Sequence, residues 1–177
     1  LIWLVPFALM LYHAWRTETE PIDIHVPAVG DAMKQAVSQD GRTLWAMTWK
    51  QPVLVVFLRH FGCTFCRETL DALKQRRAEL RRRNIDIAVV HMVDDTTAVR
   101  ALKRYGLDDL MRFSDPDRVV YRAFGLQRGT WSQLFGWRVW WRGLISGIFR
   151  RHGVGSLQGD GFQMPGAFVV SQGEIVA

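Results

Sequence analysis

Strongly apolar runs alternate with amphipathic segments through the middle of the chain. The run 52–58 contains no polar residue, which favours a strand buried on both faces of a sheet. In the segment 64–83, leucines recur three and seven residues apart with arginines at other positions, which predicts an amphipathic helix. The run 85–92 is again mostly apolar and predicts a second strand.

Shorter patterns complete the predicted architecture. We expect a short helix over 31–37, a short strand or turn over 41–50, a helix over 96–105 that ends at Gly106, a strand over 111–114, a helix over 115–124 that begins at Asp-Pro, and a hairpin over 168–176. Strands that alternate with helices and end in a hairpin predict an α/β fold, a central mixed sheet flanked by helices. The chain ends before a helix could cover the last strand, so we expect a C-terminal helix to be missing.

The pattern divides the chain into three parts. Residues 1–16 are predicted to be an apolar helix, the truncated end of a membrane anchor; a buried helix or the apolar region of a signal peptide are the alternatives. Residues 17–30 are acidic and proline-containing, which indicates a linker, and 31–177 form the folded domain. Membrane contact through 1–15 would anchor the protein; otherwise we expect it to be cytoplasmic, and the compartment stays open.

Charge narrows the list of partners. The net charge is +6, which is compatible with a nucleic-acid partner. However, no aromatic residues are interleaved with the arginines of 64–83, so this basic face is interpreted as a solvated helix face and no nucleic acid is expected.

The two cysteines of the chain, Cys63 and Cys66, stand as Cys-Thr-Phe-Cys where the first strand meets the first long helix. Free N–H groups at a helix start stabilise a thiolate, which is the reactive form of cysteine. Arg59, His60 and Arg67 add positive charge nearby. The spacing is typical of thiol–disulfide chemistry, with Cys63 as nucleophile and Cys66 as resolving thiol.

The same pair of cysteines is compatible with two other interpretations. Half a zinc site would need two more ligands, and the five histidines of the chain show no ligand spacing, so no metal and no cofactor is expected. Two buried structural cysteines are the other alternative, since free cysteine often behaves as a small hydrophobic residue.

Met164 and Pro165 precede the final hairpin. An X-Pro bond can be cis at low cost and would then present neighbouring backbone groups to a substrate, but proline also commonly starts a strand. The residues expected to bind substrate or support the thiolate are therefore Arg59, His60, Thr64, Met164 and Pro165.

A tryptophan- and arginine-rich segment, 131–152, lies between the third helix and Met164. It predicts a helical insertion that covers the sheet or the thiol site; a helix lying in a membrane interface is the alternative.

Three stretches carry a resemblance to a known family: 56–68, the Ser-Asp-Pro-Asp of 114–117 with 121–126, and 159–166. Together they resemble the peroxiredoxin-like branch of the alkyl hydroperoxide reductase/thiol-specific antioxidant (AhpC/TSA) proteins, related to selenoprotein L, within the thioredoxin superfamily. The resemblance implies a thioredoxin-like fold, a Cys63–Cys66 redox pair and Pro165 as the counterpart of the cis-proline.

The chain departs from this pattern at informative places. Peroxiredoxins carry proline and threonine where this chain has Val56 and His60, and thioredoxin carries a buried aspartate where it has Phe57. His60 or Glu68 could substitute as proton acceptor. We therefore predict an enzyme, a thiol–disulfide oxidoreductase that acts on a disulfide or peroxide with an external thiol reductant; a membrane-tethered binding module with inert cysteines is the alternative.

Overall fold

The computed structural model describes residues 26–61, 64–129 and 163–177, with only the backbone at 64 and 65. The apolar segment 1–16, most of the linker and the insertion 131–152 lie outside these residues, so the predictions made for them stay predictions. In the described part of the chain, no helix is both long and apolar enough to cross a membrane.

Five helices and five strands make up the described part. They are α1 (Val29–Gln35), α2 (Leu44–Lys50), β1 (Val53–Phe57), α3 (Thr64–Arg82), β2 (Asp86–His91), α4 (Asp95–Lys103), β3 (Met111–Ser114), α5 (Val119–Ala123), β4 (Gly166–Ser171) and β5 (Glu174–Ile175). The sheet order is β3-β2-β1-β4-β5. β1, β2 and β3 are parallel, and β4 and β5 are antiparallel to their neighbours. The predicted α/β fold with a mixed sheet is confirmed.

The sheet is buried on both faces, as the uninterrupted apolar runs predict. Successive side chains of a strand point to opposite faces, so Val53, Val55 and Phe57 pack against helices α1, α2 and α5. Val56 and Leu58 point the other way, into a second cluster formed with α3 and α4. The cysteine helix therefore lies on one defined face of the sheet.

The prediction of a strand or turn over 41–50 is wrong, because α2 occupies Leu44–Lys50. The Thr43 side chain accepts a hydrogen bond from the Ala46 N–H at 3.1 Å and caps the helix. Leu44, Met47 and Thr48 are its buried residues, a spacing of three and four that suits a helix. The alternation seen in the sequence obscured this shorter helical pattern.

The helix predicted from 115 begins later, at Val119. Arg118 adopts a left-handed conformation with φ 58°, which separates the Asp-Pro from the helix. The Asp115 carboxylate instead accepts hydrogen bonds from the backbone N–H groups of Val119, Val120 and Tyr121, at 2.8, 2.8 and 3.1 Å. Asp115 thus anchors α5 from a distance of one turn.

Candidate active site

The candidate site lies at the carboxyl end of β1, where the chain turns into α3. Cys66 is the third residue of α3 and is 2% exposed. Its backbone N–H therefore belongs to the first turn, whose N–H groups lack intrahelical partners and favour negative charge. The Arg67 Nε donates to the Phe61 carbonyl at 3.4 Å and ties this turn to the preceding loop. The partial positive charge of the helix start and the positive charge of Arg67 thus both favour negative charge in this segment.

Tyr121 fixes the strand ends beneath the loop. Its buried hydroxyl lies 2.5 Å from the Leu58 carbonyl oxygen and 3.0 Å from that of Val90, and can donate its proton to either. The pKa of Tyr121 is raised well above its usual value, chiefly because burial disfavours the charged phenolate. The hydroxyl therefore stays protonated and remains a hydrogen-bond donor at neutral pH.

Met164 and Pro165 directly precede β4, the strand that pairs with β1. β4 pairs antiparallel with β1, and Phe57 is opposite Gly166. The residues just before Gly166 therefore run alongside Leu58 and the loop that leads to the cysteines. Pro165 is exposed and Met164 is half-buried, so both can contact a substrate that reaches the site.

The proline differs from what the resemblance implies. Among the described residues no peptide bond is cis, so the Met164–Pro165 bond is trans. The Met164 N–H donates to the Gln127 carbonyl at 3.2 Å, and the buried Gln163 side chain donates to the Leu126 carbonyl at 2.7 Å. Because the Met164 N–H is already hydrogen-bonded within the fold, the groups that a substrate could contact here are the Pro165 ring and the Met164 side chain.

The other predicted site residues lie in the loop after β1 and at the start of α3. Arg59 is half-buried and His60 is buried, both in the loop that follows β1. Thr64 is the first residue of α3, and its side chain is outside the described part, as is Cys63. Arg59 and His60 therefore follow β1 at the end of the sheet where Met164 and Pro165 precede β4, while the two-cysteine mechanism stays a proposal.

One residue at this edge escaped the sequence analysis. His91 is the last residue of β2 and is 1% exposed. Burial lowers the pKa of His91, which keeps the imidazole neutral at neutral pH. The sequence feature that points to His91 is a histidine at the end of an apolar strand, Ile-Asp-Ile-Ala-Val-Val-His, because a ring at this position is expected to be buried.

The arginine-rich face of α3 lies away from this site. Arg77 and Arg81 form ion pairs with Asp109, and Arg83 pairs with Glu79. These contacts are typical of a solvated helix face that carries its own counter-charges. Across the described residues, no group of three acidic, histidine or cysteine side chains is placed to hold a metal ion.

A mixed sheet, helices on both faces and a cysteine at the start of the helix after the first strand are the features of a thioredoxin-like fold. The family model described as AhpC/TSA antioxidant enzyme matches residues 72–177, more than half of the chain. The chain therefore belongs to the AhpC/TSA antioxidant enzyme family, which confirms the peroxiredoxin-like assignment. The matched region begins after Cys66, so it does not itself include the cysteine pair.

Curated relatives agree with this family. Human peroxiredoxin-like 2A is 28% identical over 139 residues, 75% of this chain and 55% of the relative. The prostamide/prostaglandin F synthase of Salmo salar is 27% identical over 107 residues, 60% of this chain and 52% of the relative. The chain thus spans just over half the length of these two relatives.

Solved structures show the same fold. Peroxiredoxin Q of Xanthomonas campestris superposes with a TM-score of 0.53 at 17% identity, over 88% of this chain and 84% of that one. A putative thiol:disulfide interchange protein DsbE of Chlorobium tepidum gives a TM-score of 0.52 at 15% identity, over 80% and 76%. At these identities the likeness establishes the fold alone.

Proposed function

We propose that the chain is a thiol–disulfide oxidoreductase whose working pair is Cys63 as nucleophile and Cys66 as resolving thiol. The observation that carries the proposal is the position of Cys66, which is buried in the first turn of α3, the helix that follows β1. A nucleophile three residues earlier would precede the helix, where N–H groups stabilise a thiolate and a substrate has access.

The reaction transfers two electrons from the dithiol to the substrate. The Cys63 thiolate attacks one sulfur of a substrate disulfide, forming a mixed disulfide and expelling the other sulfur as thiolate. Cys66 then attacks the Cys63 sulfur, forms the Cys63–Cys66 disulfide and releases the second substrate thiolate. An external thiol reductant restores the dithiol.

Disulfides are favoured over peroxides as substrates. With a peroxide, Cys63 would be oxidised to a sulfenic acid while the alcohol leaves, and Cys66 would displace water from it. Val56, at the position of the peroxiredoxin proline, is a buried residue of β1, and His60 replaces the threonine hydroxyl. Without that hydroxyl, the chain has lost one of the groups that position a peroxide in peroxiredoxins.

The test compares single-cysteine variants against both substrates. Stopped-flow mixing of the reduced protein with hydrogen peroxide and with a protein disulfide gives the rate of each reaction. We expect the disulfide to react faster, Cys63→Ser to abolish turnover, and Cys66→Ser to accumulate a mixed disulfide visible by mass spectrometry. Full activity in Cys63→Ser would refute the assignment, and an unreactive pair in the unmodified protein would favour the binding module.

A further inference from the structure

His91 has one nitrogen engaged and one available. Its Nδ1 lies 2.9 Å from the Val93 carbonyl oxygen. A carbonyl oxygen only accepts, so Nδ1 carries the proton and the lone pair of the neutral ring is on Nε2. Within the described part of the chain, Nε2 is buried without a hydrogen-bond partner. Buried polar atoms are rarely left in this state, and such an atom calls for an explanation.

The sheet places this nitrogen on the face that holds Cys66. Ile87 and Val89 belong to the same buried cluster as Cys66, and His91 follows at the same two-residue period. Phe57 is paired with Val90, so His91 is next to Leu58, another member of that cluster. The Phe61 ring, which packs on the cluster, lies 6.2 Å from the His91 ring. His91 thus lies under the loop that precedes α3.

The buried thiol needs a base at this place. Cys66 must lose its proton before it can attack Cys63, and burial in apolar surroundings disfavours a thiolate. The sequence offered His60 or Glu68 as acceptors in place of the buried aspartate of thioredoxin. His91 has the required features: a buried, neutral imidazole on the face of the sheet that holds Cys66, with an Nε2 that has no hydrogen-bond partner among the described residues.

Building on the function proposed above, we propose that His91 is the base that accepts the Cys66 proton, directly or through one water, in the resolving step. Nε2 takes the proton, the Cys66 sulfur bonds to the Cys63 sulfur, and the substrate sulfur leaves with the electron pair of the broken bond. The imidazolium then returns the proton to the departing thiolate. Protons and electrons balance without another reactant.

The charged surroundings of His91 define the expected pH dependence. Desolvation, which is the largest effect, and the positive charge of Arg112 in β3 lower the pKa of His91. The negative charges of Asp94 and Asp95 at the start of α4 raise it. Other ionisable groups near this end of β2 include Asp115, whose N–H donates to the His91 carbonyl, and Tyr121, whose hydroxyl contacts the Val90 carbonyl. Arg59 and His60 follow the neighbouring β1, and Cys66 and Arg67 begin α3. Because the net shift of the His91 pKa is downward, the neutral ring can accept a proton at neutral pH. It loses this capacity only at pH values below the ordinary pKa range of histidine.

The test observes the resolving step by itself. Reduced protein is mixed with dithionitrobenzoate, so that attack by Cys63 releases one coloured thiolate and attack by Cys66 releases the second. His91→Asn keeps a side-chain nitrogen that can donate to Val93 but has no base. We expect the second release to slow about 100-fold while the first is unchanged.

The matched control is Ser114→Ala. The Ser114 hydroxyl donates to the same Val93 carbonyl at 2.9 Å, so its removal perturbs the same loop and leaves Nε2 intact. Both release rates should equal those of the unmodified protein. A second release that is equally fast in His91→Asn would overturn the role of His91 and leave the dithiol function standing, whereas absence of a second release in the unmodified protein would overturn both.

The unmodified protein supplies a second measurement in case His91→Asn does not fold. With a neutral base in place, the rate of the second release should be independent of pH from about 7 to 8, and should fall only below the ordinary histidine range as the ring protonates. Without a base, the rate would follow the thiolate fraction and rise about tenfold for each pH unit up to the thiol pKa. That rise would contradict the proposal.

Discussion

At the scale of single residues, the Tyr121 hydroxyl determines how β1 ends. It is fully buried and bridges two backbone carbonyl oxygens, those of Leu58 and Val90, at the point where the chain leaves the sheet for the cysteines. The Leu58 N–H also donates to the Val90 carbonyl, so only the Leu58 oxygen depends on the hydroxyl. The ring is held separately by an edge-on contact with Phe57, with centroids 5.0 Å apart.

Tyr121→Phe should therefore lower the free energy of unfolding by about 1–2 kcal/mol, because it leaves one buried carbonyl oxygen without its donor. Urea denaturation measures the change. Tyr105→Phe is the control, since it removes a hydroxyl from a half-buried ring and should cost less than about 0.5 kcal/mol. Equal losses in the two variants would mean that the bridge to the strand ends contributes nothing specific.

At the scale of elements, the hairpin of β4 and β5 is docked on α2. The Gln172 N–H donates to the Thr48 carbonyl at 2.8 Å, and the Gly173 N–H donates to the Thr48 hydroxyl at 3.1 Å. Gly173 has φ 82°, which glycine adopts without strain. A Cβ at this position would lie 2.5 Å from the Trp45 ring, so the turn also requires the small residue for close approach.

Gly173→Ala should lower the free energy of unfolding by about 2–4 kcal/mol, from about 1 kcal/mol of backbone strain and the rest from displacement of the indole. Gly41→Ala separates the two effects, because Gly41 has φ 84° and nothing within 4 Å of the added Cβ. It should cost about 1 kcal/mol. Thermal or urea unfolding of both variants measures the difference. A similar loss of unfolding free energy at the two positions would show that the Trp45 ring moves aside at little cost.

At the scale of the whole molecule, the sequence predicts what depends on long periodic patterns and misses what depends on single contacts. The buried strands β1 and β2 and the helix α3 follow from apolar runs and leucine spacing. The helix α2 was missed because its capping by Thr43 is a local contact that hydrophobic alternation hides. At the candidate site, the residue spacing singles out Cys66 as a candidate, whereas His91 joins the end of β1 only through the pairing of β1 with β2.

Two carboxyl groups give the folded molecule opposite responses to pH. The Arg112 side chain donates to Asp95 and lowers the pKa of this carboxyl, which is half-exposed. Burial raises the pKa of Asp115 even though three backbone N–H groups donate to its carboxylate. A carboxyl whose pKa is lower in the folded protein than in the unfolded protein stabilises the fold at pH values above its unfolded pKa, and this stabilisation is lost as the pH falls. A carboxyl whose pKa is raised by folding stabilises the fold at low pH, and this stabilisation is lost as the pH rises.

Urea unfolding of the unmodified protein, Asp95→Asn and Asp115→Asn between about pH 3 and 7 should separate these responses. At pH 7, Asp95→Asn should be less stable by about 0.5–1 kcal/mol, a small figure because solvent screens the pair, and the deficit should vanish as the pH falls below about 4. The stability of the unmodified protein relative to Asp115→Asn should instead be greatest at about pH 3 and decline as the pH rises through the raised pKa of Asp115. Parallel pH curves for the three proteins would contradict both assignments, since each requires a carboxyl whose proton affinity changes on folding.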